Sequence, residues 1–99
     1  MTVNLTTERD RVIIRVDGRV DTSTAPEFSE AMENAFSKSN DIILNCEKLN
    51  YISSAGLRVL LSAHKKANNL GGRFVVSNVN ELVTDIFETT GFSDILNIV

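Results

Sequence analysis

The chain contains few of the residues that cross-link proteins, bind metal ions or interrupt secondary structure. Its 99 residues include one cysteine, one histidine, one proline and no tryptophan. The lone cysteine, Cys46, excludes a disulfide within the chain, which fits a reducing cytoplasm. Because Cys46 and His64 stand alone, without a cluster at ligand spacing, the sequence predicts no metal site and no cofactor.

Long apolar runs and a surplus of basic charge are also absent. No stretch has the form of a signal peptide or could cross a bilayer, so we expect a cytoplasmic protein without membrane contact. The net charge of -3 and the pI near 5.0 argue against nucleic acid as a direct partner, because phosphate binding usually requires a basic surface. Hydrophobic residues make up 42% of the chain, which predicts one packed domain over residues 1–99.

Hydrophobic periodicity predicts five strands and three helices. Alternating residues at 3–7 and 12–16 form a hairpin around a turn at 8–11. A capping-box sequence at residues 24–27 precedes a helical apolar stripe at 28–36. The other predicted elements are a strand buried on both faces at 42–46, a helix from the serine pair to Gly71, a strand at 73–76, a helix at 82–87 stopped by Gly91, and a strand at 95–99.

This order of elements, ββαβαβαβ, predicts an α/β fold with a mixed sheet. Strands that alternate with helices are joined by right-handed crossovers and run parallel to one another. The first strand of the hairpin is therefore expected to be antiparallel, at or near an edge of the sheet.

Two adjacent serines, Ser53 and Ser54, open the second predicted helix. A serine there can cap unpaired N–H groups, and a phosphate added to it would meet the positive end of the helix dipole. Catalysis by Ser54 is excluded, because His64 lies ten residues along the same helix, roughly 15 Å away at ~1.5 Å per residue. The sequence thus predicts no enzyme, and local physics leaves both the cap and the modified site open.

The longest motif in the chain is Tyr51-Ile52-Ser53-Ser54-Ala55-Gly56-Leu57-Arg58-Val59-Leu60-Leu61. Val16-Asp17-Gly18-Arg19-Val20-Asp21 and Ile43-Leu44-Asn45 precede it; Gly71-Gly72-Arg73-Phe74-Val75-Val76 and the helix end from Ile86-Phe87 to Gly91-Phe92 follow it. In this order, the segments resemble stand-alone bacterial STAS domains of the anti-sigma-factor antagonist family from end to end. Ser53 and Asn45 depart from the pattern, since aspartate is frequent at both positions. The resemblance implies a STAS-type mixed sheet.

The resemblance also implies a regulatory function by partner switching. The unphosphorylated protein would bind an anti-sigma factor that is also a serine kinase and holds the ATP, and this binding would free a sigma factor for transcription. Phosphorylation of Ser54 would end the binding, and a PP2C-type phosphatase would restore it. The implied partner-binding residues are Asp21, Thr22, Ser23, Ser53, Ser54, Ala55, Gly56, Leu57 and Arg58.

One alternative stays open beside this function. A STAS scaffold or small-ligand-sensing module in a larger signalling complex would use the serine only as a helix cap. The sequence predicts no particular oligomeric state for either function.

Overall fold

Five strands and three helices alternate along the chain after an initial hairpin, as the periodicity predicts. The computed structural model describes all 99 residues. The elements are β1 (Thr2–Glu8), β2 (Arg11–Val20), α1 (Ala25–Lys38), β3 (Asp41–Ile52), α2 (Ser54–Asn69), β4 (Arg73–Ser77), α3 (Glu81–Thr90), a short 3-10 helix (Phe92–Asp94) and β5 (Asn97–Ile98).

The sheet has the strand order β1-β2-β3-β4-β5. The edge strand β1 is antiparallel to β2, and the other neighbouring pairs are parallel. The predicted α/β fold is therefore confirmed. Because each crossover moves one strand in the same direction and crossovers are right-handed, all three helices lie on one face of the sheet.

That face contains a single hydrophobic core of 22 buried residues, contributed by the strands and all three helices. On the other face, Ile13 and Ile43 are partly exposed and Arg15 is exposed, whereas Val75 is buried. The prediction that residues 42–46 are buried on both faces is thus wrong, because no helix crosses to the second face.

β3 is longer than predicted because it continues to pair with β2 as far as Ile52, through two β-bulges. Its pairing with β2 shifts register after Asn45 and again after Leu49, and each shift inserts one extra residue in β3. The last strand is shorter than predicted: Ile95 follows the 3-10 helix, and only Asn97 and Ile98 pair with β4. These irregularities leave the strand order unchanged and position the carboxyl ends of β2 and β3 side by side.

Candidate functional site

The predicted site residues lie at the carboxyl edge of the parallel strands. The segment at residues 21–24 follows β2, and Ser53 follows β3. The backbone N–H of Ser53 donates to the carbonyl of Val20 at 2.8 Å, which ties the two turns together. The fold thus brings the predicted residues from both turns to one edge, the position where open α/β sheets commonly bind ligands and partners.

The two serines differ in conformation. Ser53 is extended (φ -89°, ψ 176°) and is the N-cap of α2, where its hydroxyl accepts the N–H of Gly56 at a long 3.5 Å. Ser54 is the first helical residue, and its side chain is exposed. The cap is therefore Ser53, and the hydroxyl of Ser54 is left available for modification.

Asp21 holds the turn between β2 and α1. Its Oδ1 accepts the Ser23 hydroxyl at 2.7 Å, the Ser23 N–H at 3.0 Å and the Thr24 N–H at 3.1 Å. The Ser23 hydroxyl, with the backbone N–H of Thr24 next in effect, lowers the pKa of Asp21 below its usual value, because hydrogen bonds to the carboxylate favour its charged form. Asp21 is therefore charged at neutral pH and only partly exposed.

The predicted capping box at residues 24–27 is wrong. Thr24 is the N-cap of α1, but its side chain makes no capping hydrogen bond. Its hydroxyl instead accepts the Asp21 N–H at 2.9 Å and donates to the carbonyl of Arg19 at 3.1 Å. The aspartate turn competes for the hydroxyl that a capping box would use.

Two of the predicted partner-binding residues are buried. Leu57 is 5% exposed and belongs to the core, and Gly56 is also buried. A Cβ at position 56 would come within 2.6 Å of Ile52 and 2.7 Å of Val20, so glycine allows α2 to approach β2 and β3 closely. Gly56 and Leu57 therefore pack beneath the accessible residues of this edge and are not themselves exposed to a partner.

The remaining predicted residues form an accessible surface, which we call the edge surface. Thr22, Ser23, Ser54 and Arg58 are exposed, while Asp21, Ser53 and Ala55 are half-buried. Arg19 is a further residue at this edge that is not among the predicted site residues, and its guanidinium lies 4.5 Å from the ring centroid of Tyr51. The register that pairs Arg19 with Tyr51 across β2 and β3 could have indicated this contact.

The edge surface has no concave pocket. Three surface cavities of about 130, 100 and 320 Å³ occur in the structure, and none is lined by a residue of the edge surface. No group of three or more His, Cys, Asp or Glu side chains is placed to hold a metal ion. Small-molecule sites are concave, so a surface without a pocket is better suited to a macromolecule.

Cys46 and His64 lie away from the edge surface. The thiol of Cys46 is buried in the core, and burial raises its pKa to about 12. His64 lies within α2, where Nε2 is 3.4 Å from the side-chain nitrogen of Asn68. None of the three helices combines the length and the apolar character needed to cross a membrane.

One known protein family matches almost the full length of the chain. The STAS domain family matches residues 2–99. The chain belongs to the STAS domain family. An anti-sigma-B factor antagonist of Listeria monocytogenes is 31% identical over 93 residues, which cover 92% of this chain and 81% of that protein.

Solved structures share the same fold. An anti-sigma factor antagonist from Mycobacterium paratuberculosis has a TM-score of 0.86 at 18% identity and covers 98% of this chain and 83% of its own. The anti-sigma factor antagonist SpoIIAA in its unphosphorylated form has a TM-score of 0.75 at 20% identity, covering 99% and 87%. Its phosphorylated form, from Bacillus, has the same TM-score at 21% identity, covering 99% and 91%. The STAS fold predicted from the sequence is confirmed.

Proposed function

We propose that this STAS domain is an anti-sigma-factor antagonist controlled by phosphorylation of Ser54. In the unphosphorylated state it binds an anti-sigma factor that is also a serine kinase, and a sigma factor is freed. Transfer of phosphate from the kinase's ATP to Ser54 ends the binding, and a phosphatase removes the phosphate. The chain itself binds and is modified; it catalyses no step.

The exposed hydroxyl of Ser54 carries the proposal. It lies at the first position of α2 while the neighbouring Ser53 caps the helix, so modification of Ser54 would not remove a cap. The relatives that match nearly the whole chain are named as anti-sigma-B factor antagonists, and SpoIIAA is known in unphosphorylated and phosphorylated forms. The names support an antagonist that is controlled by phosphorylation, and the choice of Ser54 rests on its exposed position at the start of α2.

Electrostatics explains why phosphorylation would change binding more than folding. A phosphoserine adds about -1.5 to -2 charge at neutral pH. At the start of a helix this charge is favourable, so the fold is retained. A partner that packs against a neutral hydroxyl would instead have to bury a dianion, which costs several kcal/mol where like charge or apolar surface opposes it.

The cognate kinase provides the direct test. Incubation of the protein with that kinase and ATP, followed by peptide mass spectrometry, is expected to find one phosphate on Ser54. The Ser54→Ala variant is expected to bind the kinase and to remain unphosphorylated, and Ser53→Ala serves as the matched control that is still modified. Phosphate on Ser53 alone, or an unchanged yield in Ser54→Ala, would contradict the assignment to Ser54. The absence of any phosphate would favour a scaffold in which Ser53 only caps α2.

A further inference from the structure

We infer that Arg58 is the charge partner of the Ser54 switch. In the unmodified protein its guanidinium binds a carboxylate of the anti-sigma factor, and after phosphorylation it binds the phosphate on Ser54 instead. Modification would then both add negative charge and withdraw the cation that the partner uses. This inference rests on the proposed function, because it concerns the same serine and the same partner.

Helical spacing places the two side chains next to each other. Ser54 and Arg58 are four residues apart within the continuous helix α2, and both are exposed. Side chains at this spacing lie on one helix face with Cβ atoms about 5–6 Å apart. A long arginine side chain can reach a phosphate at that distance and can donate two parallel hydrogen bonds to it.

No carboxylate on the same helix competes for Arg58. The sequence of α2 contains no Asp or Glu, whereas α1 has Glu27 and α3 has Glu81 in the first turn. Arg58 is the only charged side chain in the first two turns of α2. Phosphate on Ser54 would supply the negative charge that this turn lacks.

Two other charged residues at this end of the sheet, Asp21 and Arg19, are engaged locally. Asp21 Oδ1 accepts hydrogen bonds within its own turn, and the guanidinium of Arg19 stacks on Tyr51. Among the arginine side chains, only Arg15 donates a hydrogen bond, and its acceptor is Thr6 on the exposed face of the sheet. Arg58 is therefore the cation at this edge that is best placed to change partners.

The ability of Arg58 to bind phosphate indicates which kind of group it binds on the anti-sigma factor. A guanidinium that also binds phosphate is matched by a planar carboxylate, from Asp or Glu, in a bidentate pair. Phosphoserine on the same helix competes with that carboxylate without loss of translational freedom, since it is held four residues away. Phosphorylation would thus replace the pair between Arg58 and the carboxylate with a pair between Arg58 and the phosphate, and the phosphate would also repel the carboxylate.

The first half of the inference is that Arg58 pairs with the phosphate on Ser54. One experiment tests this half without a kinase or an anti-sigma factor. Phosphoserine is incorporated at position 54 during translation, and the second ionisation of the phosphate is followed by ³¹P NMR. We expect the pH midpoint to be lower with Arg58 present than in Arg58→Gln, by about a two-fold change in proton affinity. Lys65→Gln is the matched control, because Lys65 is exposed on α2 but lies 11 residues from Ser54; it should titrate like the wild type. Equal midpoints in all three proteins would overturn this half.

The second half of the inference is that Arg58 binds a carboxylate of the anti-sigma factor. It is tested with unmodified protein and the anti-sigma factor. Arg58→Gln is expected to bind about ten-fold more weakly than the wild type at low salt, and Lys65→Gln is expected to bind normally. Equal affinity of Arg58→Gln and wild type would overturn the carboxylate contact. If the wild type does not bind at all, the proposed function fails and this half fails with it, whereas the ³¹P titration still decides whether Arg58 pairs with the phosphate.

Discussion

Ser53 and Ser54 are neighbours of the same residue type, yet their backbone conformations give them different roles. Ser53 has the extended backbone of an N-cap, and Ser54 has already entered the helix. A capping hydroxyl accepts a hydrogen bond from an N–H group that has no helical partner. An exposed hydroxyl in the first turn forms hydrogen bonds to water in the folded and the unfolded protein alike.

This difference predicts unequal stability effects of alanine at the two positions. Ser53→Ala is expected to lower the free energy of unfolding by about 0.5–2 kcal/mol, because the cap is lost. Ser54→Ala is expected to change it by less than about 0.5 kcal/mol, as is usual for an exposed side chain without partners. Urea unfolding of the two variants and the wild type measures both values. A larger loss in Ser54→Ala than in Ser53→Ala would mean that the cap has been assigned to the wrong serine.

Asp21 shows why residue-level patterns can mislead. Thr24 and Glu27 have the spacing of a capping box, and sequence reasoning therefore used the threonine hydroxyl as a cap. In the structure that hydroxyl is bound to the backbone of Asp21 and Arg19. The competing aspartate turn spans three residues before the helix, so a pattern that begins at Thr24 does not include it.

At the scale of elements, the first turn of α2 depends on a close approach between helix and sheet. Gly56 faces Ile52 of β3 and Val20 of β2, the last residues of the two strands that support the edge surface. A side chain here would push the helix start outward, and Ser54 would move with it. The position of Ser54 is thus coupled to the packing of Gly56 against the sheet.

Gly56→Ala is expected to destabilise the domain by about 1–3 kcal/mol, because the new methyl group overpacks this contact. The higher helix propensity of alanine offsets at most about 1 kcal/mol of that cost. Thermal unfolding should show a lower Tm for Gly56→Ala than for Ser62→Ala, an exposed position on the same helix that serves as control. An unchanged or higher Tm in Gly56→Ala would show that the contact is loose.

Element order was predictable from the sequence, and element length was less so. Periods of two and of 3.6 residues separated strands from helices, and crossover handedness then predicted the parallel pairs. In β3, however, the buried positions after Cys46 are Leu49 and Ile52, three residues apart, because the bulges insert extra residues. A period of two breaks down there, so the predicted strand ended at Cys46.

The location of the site could be predicted in outline, since the motif that contains Ser54 follows a strand. Burial of Leu57 could be predicted from the apolar stripe of α2. For Gly56 the sequence left close helix–sheet packing and approach by a partner both open, because helix register against the sheet depends on packing between distant residues. The Arg19 contact with Tyr51 depends on strand register for the same reason. Residues local to one turn were thus predicted better than contacts that join two elements.

At the scale of the whole molecule, the core and the edge surface are separated. The core lies between the helices and one face of the sheet, while the edge surface is built on the turns at the carboxyl ends of β2 and β3. A charge added at Ser54 therefore remains outside the core, and the domain can change its binding without changing its fold. This separation is what the proposed phosphorylation switch requires.

Affinity for the anti-sigma factor, measured with unmodified protein and with protein that has phosphoserine at position 54, tests the central claim most directly. We expect tight binding of the unmodified form and at least ~100-fold weaker binding of the phosphorylated form, equivalent to about 2.7 kcal/mol, while the Tm values of the two forms agree within a few degrees. Equal affinity of the two forms, or loss of binding that accompanies unfolding of the phosphorylated protein, would contradict the account.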